Sequence, residues 1–218
     1  MDRVAVLASG GLDSSVLLAD LARDSVVHPL YVRKGLAWEE QERAALEAFL
    51  DALASPNIRP VTWLAAPARE LYGDHWSLNG AGVPGLATPD SAVYLPGRNV
   101  LLIGLAAVWC SVHGVSRIAV GSLGGNPFAD ATSSFFEEFG RVLSQGLAHE
   151  ITVAAPYRGN RKEDLIRRRH DLPLGLTLTC IAPEGAEHCG RCNKCGERQR
   201  AFAAAGVTDP TIYHANQA

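Results

Sequence analysis

Arg3-Val4-Ala5-Val6-Leu7-Ala8-Ser9-Gly10-Gly11-Leu12-Asp13-Ser14-Ser15-Val16-Leu17-Leu18-Ala19-Asp20-Leu21 joins a short apolar run to one of helical periodicity through a glycine-serine turn. A buried strand, a glycine turn and a helix N-terminus in that order make an anion site. Gly10 and Gly11 allow close backbone approach, and the first-turn amides and helix dipole face the phosphates of a nucleotide. Ser9, Ser14 and Ser15 add hydroxyl donors, and Asp13 is a candidate magnesium ligand. The turn has neither Gly-x-x-x-x-Gly-Lys-Ser/Thr nor Gly-x-Gly-x-x-Gly spacing, so the two commoner phosphate loops are excluded. The plain alternative is a turn that only caps a helix.

Working outward, 218 residues suit one α/β domain with a small appendage. Apolar content of 47% and charged content of 20% are those of a soluble globular chain. A net charge of −3 gives no basic field for nucleic acid. The apolar stretch from Val100 to Val112 is too short to cross a bilayer. The chain enters a strand at once, so no signal peptide is expected and the cytoplasm is the expected location.

Val26–Val32 reads as a second strand, made edge-tolerant by Pro29. A helix follows over Trp38–Leu53, then a third strand over Val61–Leu64. Residues 73–97 are dense in glycine and proline, the mark of a mobile or functional loop. Asn99–Val112 is an apolar helix, and Ile118–Gly121 a fourth strand ending in a glycine turn. A loop over 122–131, a helix over 132–146 and a fifth strand at Ile151–Val153 come next. Asn160 and Glu163 have capping-box spacing for a helix over 161–170, and Gly206 stops a last helix over 194–205. Strands alternating with helices predict an α/β fold with a doubly wound, mostly parallel, Rossmann-like sheet. Ligands of such sheets bind beyond the carboxyl ends of the strands.

Four of the five cysteines crowd between 180 and 195, which suits metal binding in a reducing compartment better than disulfides. Cys180-x8-Cys189-x2-Cys192-x2-Cys195 offers four thiolates, the first placed just after an expected strand. Such a set favours a closed, structural zinc site, with an iron–sulfur cluster or a redox pair as alternatives. The expected division is therefore an α/β domain over 1–175 and a C-terminal, zinc-stapled helical segment over 176–218. Cys110, within the apolar helix, reads as a buried structural thiol, and His188 as a neighbour of the metal ligands.

Ser-Gly-Gly-x-Asp-Ser after a first strand resembles the PP-loop of the N-type ATP pyrophosphatases. With the cysteines, LPGRN at 95–99, Lys162-Glu163 and TLTC…HCGRCNKCGERQRAFAAAGVTDP over 177–210, the chain resembles the 7-cyano-7-deazaguanine synthases of queuosine biosynthesis. The resemblance implies a PP-loop fold, a homodimer, and ATP-dependent conversion of 7-carboxy-7-deazaguanine and ammonia to the nitrile through an adenylated carboxylate and an amide. It implies ATP bound by Ser9, Gly10, Gly11, Leu12, Asp13, Ser14, Ser15 and Tyr31, with Mg²⁺ offsetting phosphate charge and Zn²⁺ structural. Asp13, Arg98 and Lys162 are the catalytic candidates. Arg98 serves either the phosphates or the substrate carboxylate, against a plain role as a helix-start residue paired with an acid. The plain reading of Lys162 is a solvated helix residue.

Two stretches depart from the family pattern. The usual Gly-Val-Asn-x-x-Asp-Tyr-Ser-Gly-Tyr-Pro-Asp-Cys-Arg segment is replaced by Gly121-Ser122-Leu123-Gly124-Gly125-Asn126-Pro127-Phe128-Ala129-Asp130-Ala131-Thr132. Tyr-Gly-Gln-Arg-His is replaced by Tyr31-Val32-Arg33-Lys34-Gly35. Arg98, Asn126, Phe128 and Asp130 are the candidate contacts to a deazapurine-like carboxylate: Phe128 would stack on the ring and Asp130 would hydrogen-bond it. Asp130 alternatively caps the helix over 132–146. The altered loop leaves open a ligase for a different carboxylate, or one that stops at the amide. A tRNA-modifying PP-loop enzyme and a non-catalytic nucleotide sensor are further readings.

Overall fold

The computed structural model describes residues 1–214. Its strands are β1 (Asp2–Leu7), β2 (Ser25–Arg33), β3 (Thr62–Ala65), β4 (Arg117–Val120) and β5 (Thr152–Ala154). The helices are α1 (Leu12–Leu21), α2 (Glu39–Leu53), α3 (Arg69–Tyr72), α4 (Trp76–Asn79), α5 (Arg98–His113), α6 (Ser133–Leu147), α7 (Lys162–Arg168) and α8 (Asn193–Ala205). The strands pair in the order β3-β2-β1-β4-β5, and every pair is parallel. This is the doubly wound sheet expected from the alternation of elements.

The central strand shows why both faces need cover. Val4 and Val6 enter a core with Val16 and Leu17 of α1, Phe49 of α2, Leu165 of α7 and Phe202 of α8. Ala5 and Leu7 point the other way, into a core with Ile103 and Ala107 of α5 and Phe136 of α6. A strand with apolar side chains on both faces is stable only between two helical layers.

The chain steps from β1 outward to β2 and β3, then returns through α5 to β4 on the other side of β1. The loops leaving β1 and β4 therefore diverge. Such a switch point opens a crevice at the carboxyl ends of the strands.

Three expectations are corrected. Pro29 lies in an interior strand, opposite Val6 of β1, with β3 beyond. Val27 exchanges backbone hydrogen bonds with residues 57 and 59, and pairing with β3 itself begins only at Leu30. By the alternation of a strand, the Pro29 nitrogen faces that gap, so no ladder bond is lost. The cap of α7 is shifted by one residue: Asp164, not Glu163, accepts the Arg161 N–H at 3.1 Å, and Glu163 pairs with the Arg161 side chain. No strand precedes Cys180; residues 177–180 are irregular. Arg198 holds them, donating to Thr177 and Thr179 hydroxyls at 2.9 and 3.0 Å and to the Leu174 carbonyl at 2.8 Å.

The long loop at 73–97 is tied down rather than free. Pro84 and Thr88 carbonyls accept from the backbone and side chain of Asn193, and Leu86 donates to the Arg191 carbonyl. It forms one wall of the crevice.

Candidate active site and thiolate centre

The loop after β1 folds tightly because Gly10 has φ +68° and lies against α2: a Cβ there would stand 2.4 Å from the Glu42 carbonyl oxygen. Its own carbonyl accepts from Leu178 N–H at 2.8 Å, tying the loop to the segment that leads into the cysteines. Across the crevice, Gly121 at the end of β4 presses on the backbone of Asp13 and Ser14, where a Cβ would meet atoms at 3.0 Å. The Ser9 and Ser14 hydroxyls are 3.3 Å apart, and Ser14 donates to the Gly11 carbonyl at 3.0 Å. Ser9, Gly11, Leu12, Asp13 and Ser14 line a cleft of ≈ 630 Å³. Ser15 is fully buried behind them with an unpartnered hydroxyl, and the Leu12 side chain belongs to the core.

Asp13, one residue into α1, starts a chain of alternating charges. Its Oδ2 lies 3.2 Å from Lys162 Nζ, Lys162 lies 2.5 Å from Glu197, and Glu197 lies 2.6 Å from Lys194. Asp13 Oδ1 is buried without a hydrogen-bond partner. Burial pushes the Asp13 carboxyl up despite the ammonium of Lys162. Burial opposes the charge on Lys162 as well, but Asp13 and Glu197 override it and hold the side chain as an ammonium. The Lys162 side chain is only 10% exposed, so it is not a solvated helix residue. Burial also opposes ionisation of Glu197, yet Lys162 and Lys194 bring its carboxyl down to about 2. Glu197 and Lys194 escaped the sequence reading. Their i, i+3 spacing on α8 was visible, but docking of α8 beside the phosphate loop was not.

The remaining cleft wall comes from β2, the 73–97 loop, the start of α5 and the loop after β4. Tyr31 lines it, but its hydroxyl donates to Glu42 at 2.8 Å, and burial with Glu42 pushes the phenol up. Arg98 lines it too, with no hydrogen bond or ion pair from its guanidinium among the described residues, so the acid partner considered for it is absent. Phe128 packs at a tilt against Tyr94 across the two loops, with ring centroids 4.7 Å apart. The Asn126 side-chain oxygen accepts from Phe128 N–H at 3.0 Å and shapes that turn. Asp130 is buried and accepts from Asn99 N–H at 2.9 Å, so it caps α5. The helix it precedes, α6, is capped instead by Thr132, which accepts from Phe135 N–H at 3.1 Å. Lys34 also escaped the sequence reading, although it is buried at the cleft wall.

Behind the phosphate loop, the Sγ atoms of Cys180, Cys189, Cys192 and Cys195 all lie within 4.8 Å of one another and are buried. Cys180–Cys192 and Cys189–Cys195 are 3.8 and 3.9 Å apart. A Zn–S bond of about 2.3 Å in a tetrahedron requires S···S of roughly 3.8 Å, so the donor set fits that ion. His188 is not among the ligands: its Nε2 accepts from Thr179 N–H at 3.0 Å, and burial lowers its pKa to about 4. Cys110 is buried in α5, with its thiol pushed up to about 12 by burial.

The family model described as Queuosine biosynthesis protein QueC matches residues 3–206. The chain belongs to the QueC family. A 7-cyano-7-deazaguanine synthase of Methanothrix thermoacetophila is 32% identical over 98% of this chain and 99% of that protein. One from Azoarcus sp. is 31% identical over 99% of this QueC-family chain and 98% of its own. Among solved structures, a predicted subunit of tRNA methyltransferase from Methanocaldococcus jannaschii has a TM-score of 0.49 at 16% identity. That likeness covers 78% of this chain and 73% of the other.

Proposed function

We infer that this QueC-family chain is an ATP-dependent carbon–nitrogen ligase that converts 7-carboxy-7-deazaguanine and ammonia to 7-cyano-7-deazaguanine. The observation that carries the reading is a single cleft with two differently charged ends. One end holds the glycine loop, Asp13 and Lys162; the other holds Lys34 and Arg98 beside an aromatic pair.

The chemistry follows from what a carboxylate lacks. It is a poor electrophile until one oxygen becomes part of a good leaving group. Attack of that oxygen on the α-phosphorus of ATP breaks the bond to the β-phosphate oxygen and releases pyrophosphate. Backbone amides of Gly11–Ser14 and the Ser9 hydroxyl would hold the phosphates, and Lys162, kept as an ammonium, would offset charge growing on them. Ammonia then displaces AMP to give the amide. A second activation at the amide oxygen, followed by loss of AMP and a proton, leaves the nitrile. The orphaned Asp13 Oδ1 and its neighbouring phosphate site fit Mg²⁺, which would neutralise phosphate charge. Zn²⁺ on the four thiolates would close segment 176–218 onto the α/β domain of 1–175, with no open position for catalysis.

Asp13, Arg98 and Lys162 are the residues assigned to catalysis, and Phe128 to ring contact. Asn126 and Asp130 support the wall on which that contact is built. Tyr31 serves ATP through its ring and backbone, because its hydroxyl is committed to Glu42. A homodimer is what the family resemblance implies, and the cytoplasm is its expected place. Val100, Val108 and Val112, exposed along one side of α5, support a second copy as the cover for that face.

The test is direct. With Mg²⁺ and ammonium present, purified protein forms AMP only when 7-carboxy-7-deazaguanine is added, and the product has the mass of the nitrile. AMP formation on another acid, or accumulation of the amide alone, transfers the reading to a related ligase.

A further inference from the structure

We propose that Lys34 and Arg98 together form the seat for the carboxylate of the second substrate, on the β2 side of the cleft. This deepens the functional reading above and rests on it.

Lys34 follows β2 directly, is 5% exposed and lines the cleft. Its Nζ donates to the Val32 carbonyl at 3.2 Å, and no other hydrogen bond to it exists among the described residues. An ammonium has three donors, so two are unspent. Glu42 and Glu39 favour its charge from nearby, but their oxygens are hydrogen-bonded to other donors. Glu39 accepts from the N–H groups of Lys34 and Gly35 at 2.5 and 2.8 Å and pairs with Arg33 at 3.2 Å. Glu42 accepts from Tyr31 at 2.8 Å and Trp38 at 3.0 Å. Arg98 lines the same cleft, without an ion pair among the described residues, and its charge adds to burial in depressing the Lys34 ammonium to about 8. A buried ammonium with two unspent donors and a guanidinium with no partner among the described residues, both lining one cleft, offer their donors to an anion.

Two observations select a carboxylate over a phosphate. At the phosphate loop, Asp13, Lys162, Glu197 and Lys194 form one chain of ion pairs, and neither Lys34 nor Arg98 belongs to it among the described residues. Arg98 begins α5 just after the loop that carries Tyr94, and Tyr94, Arg98 and Phe128 line the same cleft, the two rings packed at a tilt. A planar acid fits that pairing, with its ring on the aromatic wall and its carboxylate on a guanidinium fork and an ammonium. Held there, the carboxylate keeps a fixed orientation for attack on the α-phosphorus of bound ATP.

The experiment compares metal-loaded wild type with Lys34→Met and Lys34→Arg. Calorimetry in the presence of a non-hydrolysable ATP analogue first asks whether wild type binds 7-carboxy-7-deazaguanine. If it does not, the substrate reading fails, and indole-3-carboxylate, a generic aromatic acid, then probes the seat. With whichever acid binds, Lys34→Met weakens it about 10- to 100-fold, the weight of one hydrogen bond to a charged group. Lys34→Arg recovers most of that loss. ATP affinity moves less than about twofold in both variants, and the uncharged carboxamide binds all three proteins alike. Acid affinity of the wild type falls as the pH passes about 8, with Arg98, Glu39 and Glu42 as the facing charges, while Lys34→Arg stays flat. Loss of ATP affinity with acid affinity intact would make Lys34 a phosphate ligand and overturn the proposal. Unchanged affinity for both would leave Lys34 a packing residue and overturn it equally, as would failure of wild type to bind either acid.

Discussion

Lys34 illustrates how a single residue trades stability for a site. Its folded-state pKa of about 8 lies below the ordinary 10.5, because burial and then Arg98 disfavour the ammonium. The folded state therefore prefers the neutral amine. At pH 7 the charge must be carried in the fold, and this penalty is fully present below about pH 8. It shrinks as pH rises from 8 towards 10.5, where the unfolded chain also loses its proton. Lys34→Met is expected to stabilise the protein at pH 7 by up to about 3 kcal/mol in urea titration. The gain over wild type should close by about pH 10.5; a gain independent of pH would point to better packing instead.

At the scale of elements, α8 ties the cysteine cluster to the Asp13–Lys162 pair. Cys192 caps its N-terminus, accepting from Cys195 N–H, and Cys195 lies in its first turn. Glu197 on the same helix reaches Lys162, which also pairs with Asp13, and Lys194 pairs with Glu197. A helix held by thiolates at one end presents these charges in fixed register. Chelation of the metal should lower the midpoint of thermal unfolding and weaken ATP binding about tenfold, as one charge-assisted contact is lost. Metal analysis should return one ion per chain before chelation. Unaltered ATP affinity after full metal loss would show that α8 keeps its place by apolar packing of Ala201, Phe202 and Ala205 alone. The 73–97 loop belongs to the same unit, since Asn193 holds its backbone.

For the whole molecule, the unexplained surface is the outer side of α5. Val108 and Val112 are 50% and 76% exposed, one turn apart on a helix whose opposite side is core. If a second copy covers them, Val108→Glu with Val112→Glu should convert a dimer to a monomer in sedimentation velocity. ATP affinity should hold, because neither valine lines the cleft. A wild-type monomer at tens of micromolar would remove the dimer from the reading.

Sequence alone determined the glycine turn between β1 and α1, the four-cysteine cluster and the doubly wound sheet. Each is a local signal: a strand–glycine–helix junction, a ligand spacing, an alternation of elements. Those signals survive because backbone conformation and donor identity are written in neighbouring residues. Tertiary structure decided what lies across the cleft. It put Asp130 on Asn99 rather than on α6, moved Pro29 into the sheet interior, and left Arg98 without an acid among the described residues. It also buried Lys162 between Asp13 and Glu197, and Lys34 beside Arg98. Such pairings join residues distant in sequence. Their charges are set by burial and by what faces them, and neither quantity exists until the sheet has folded.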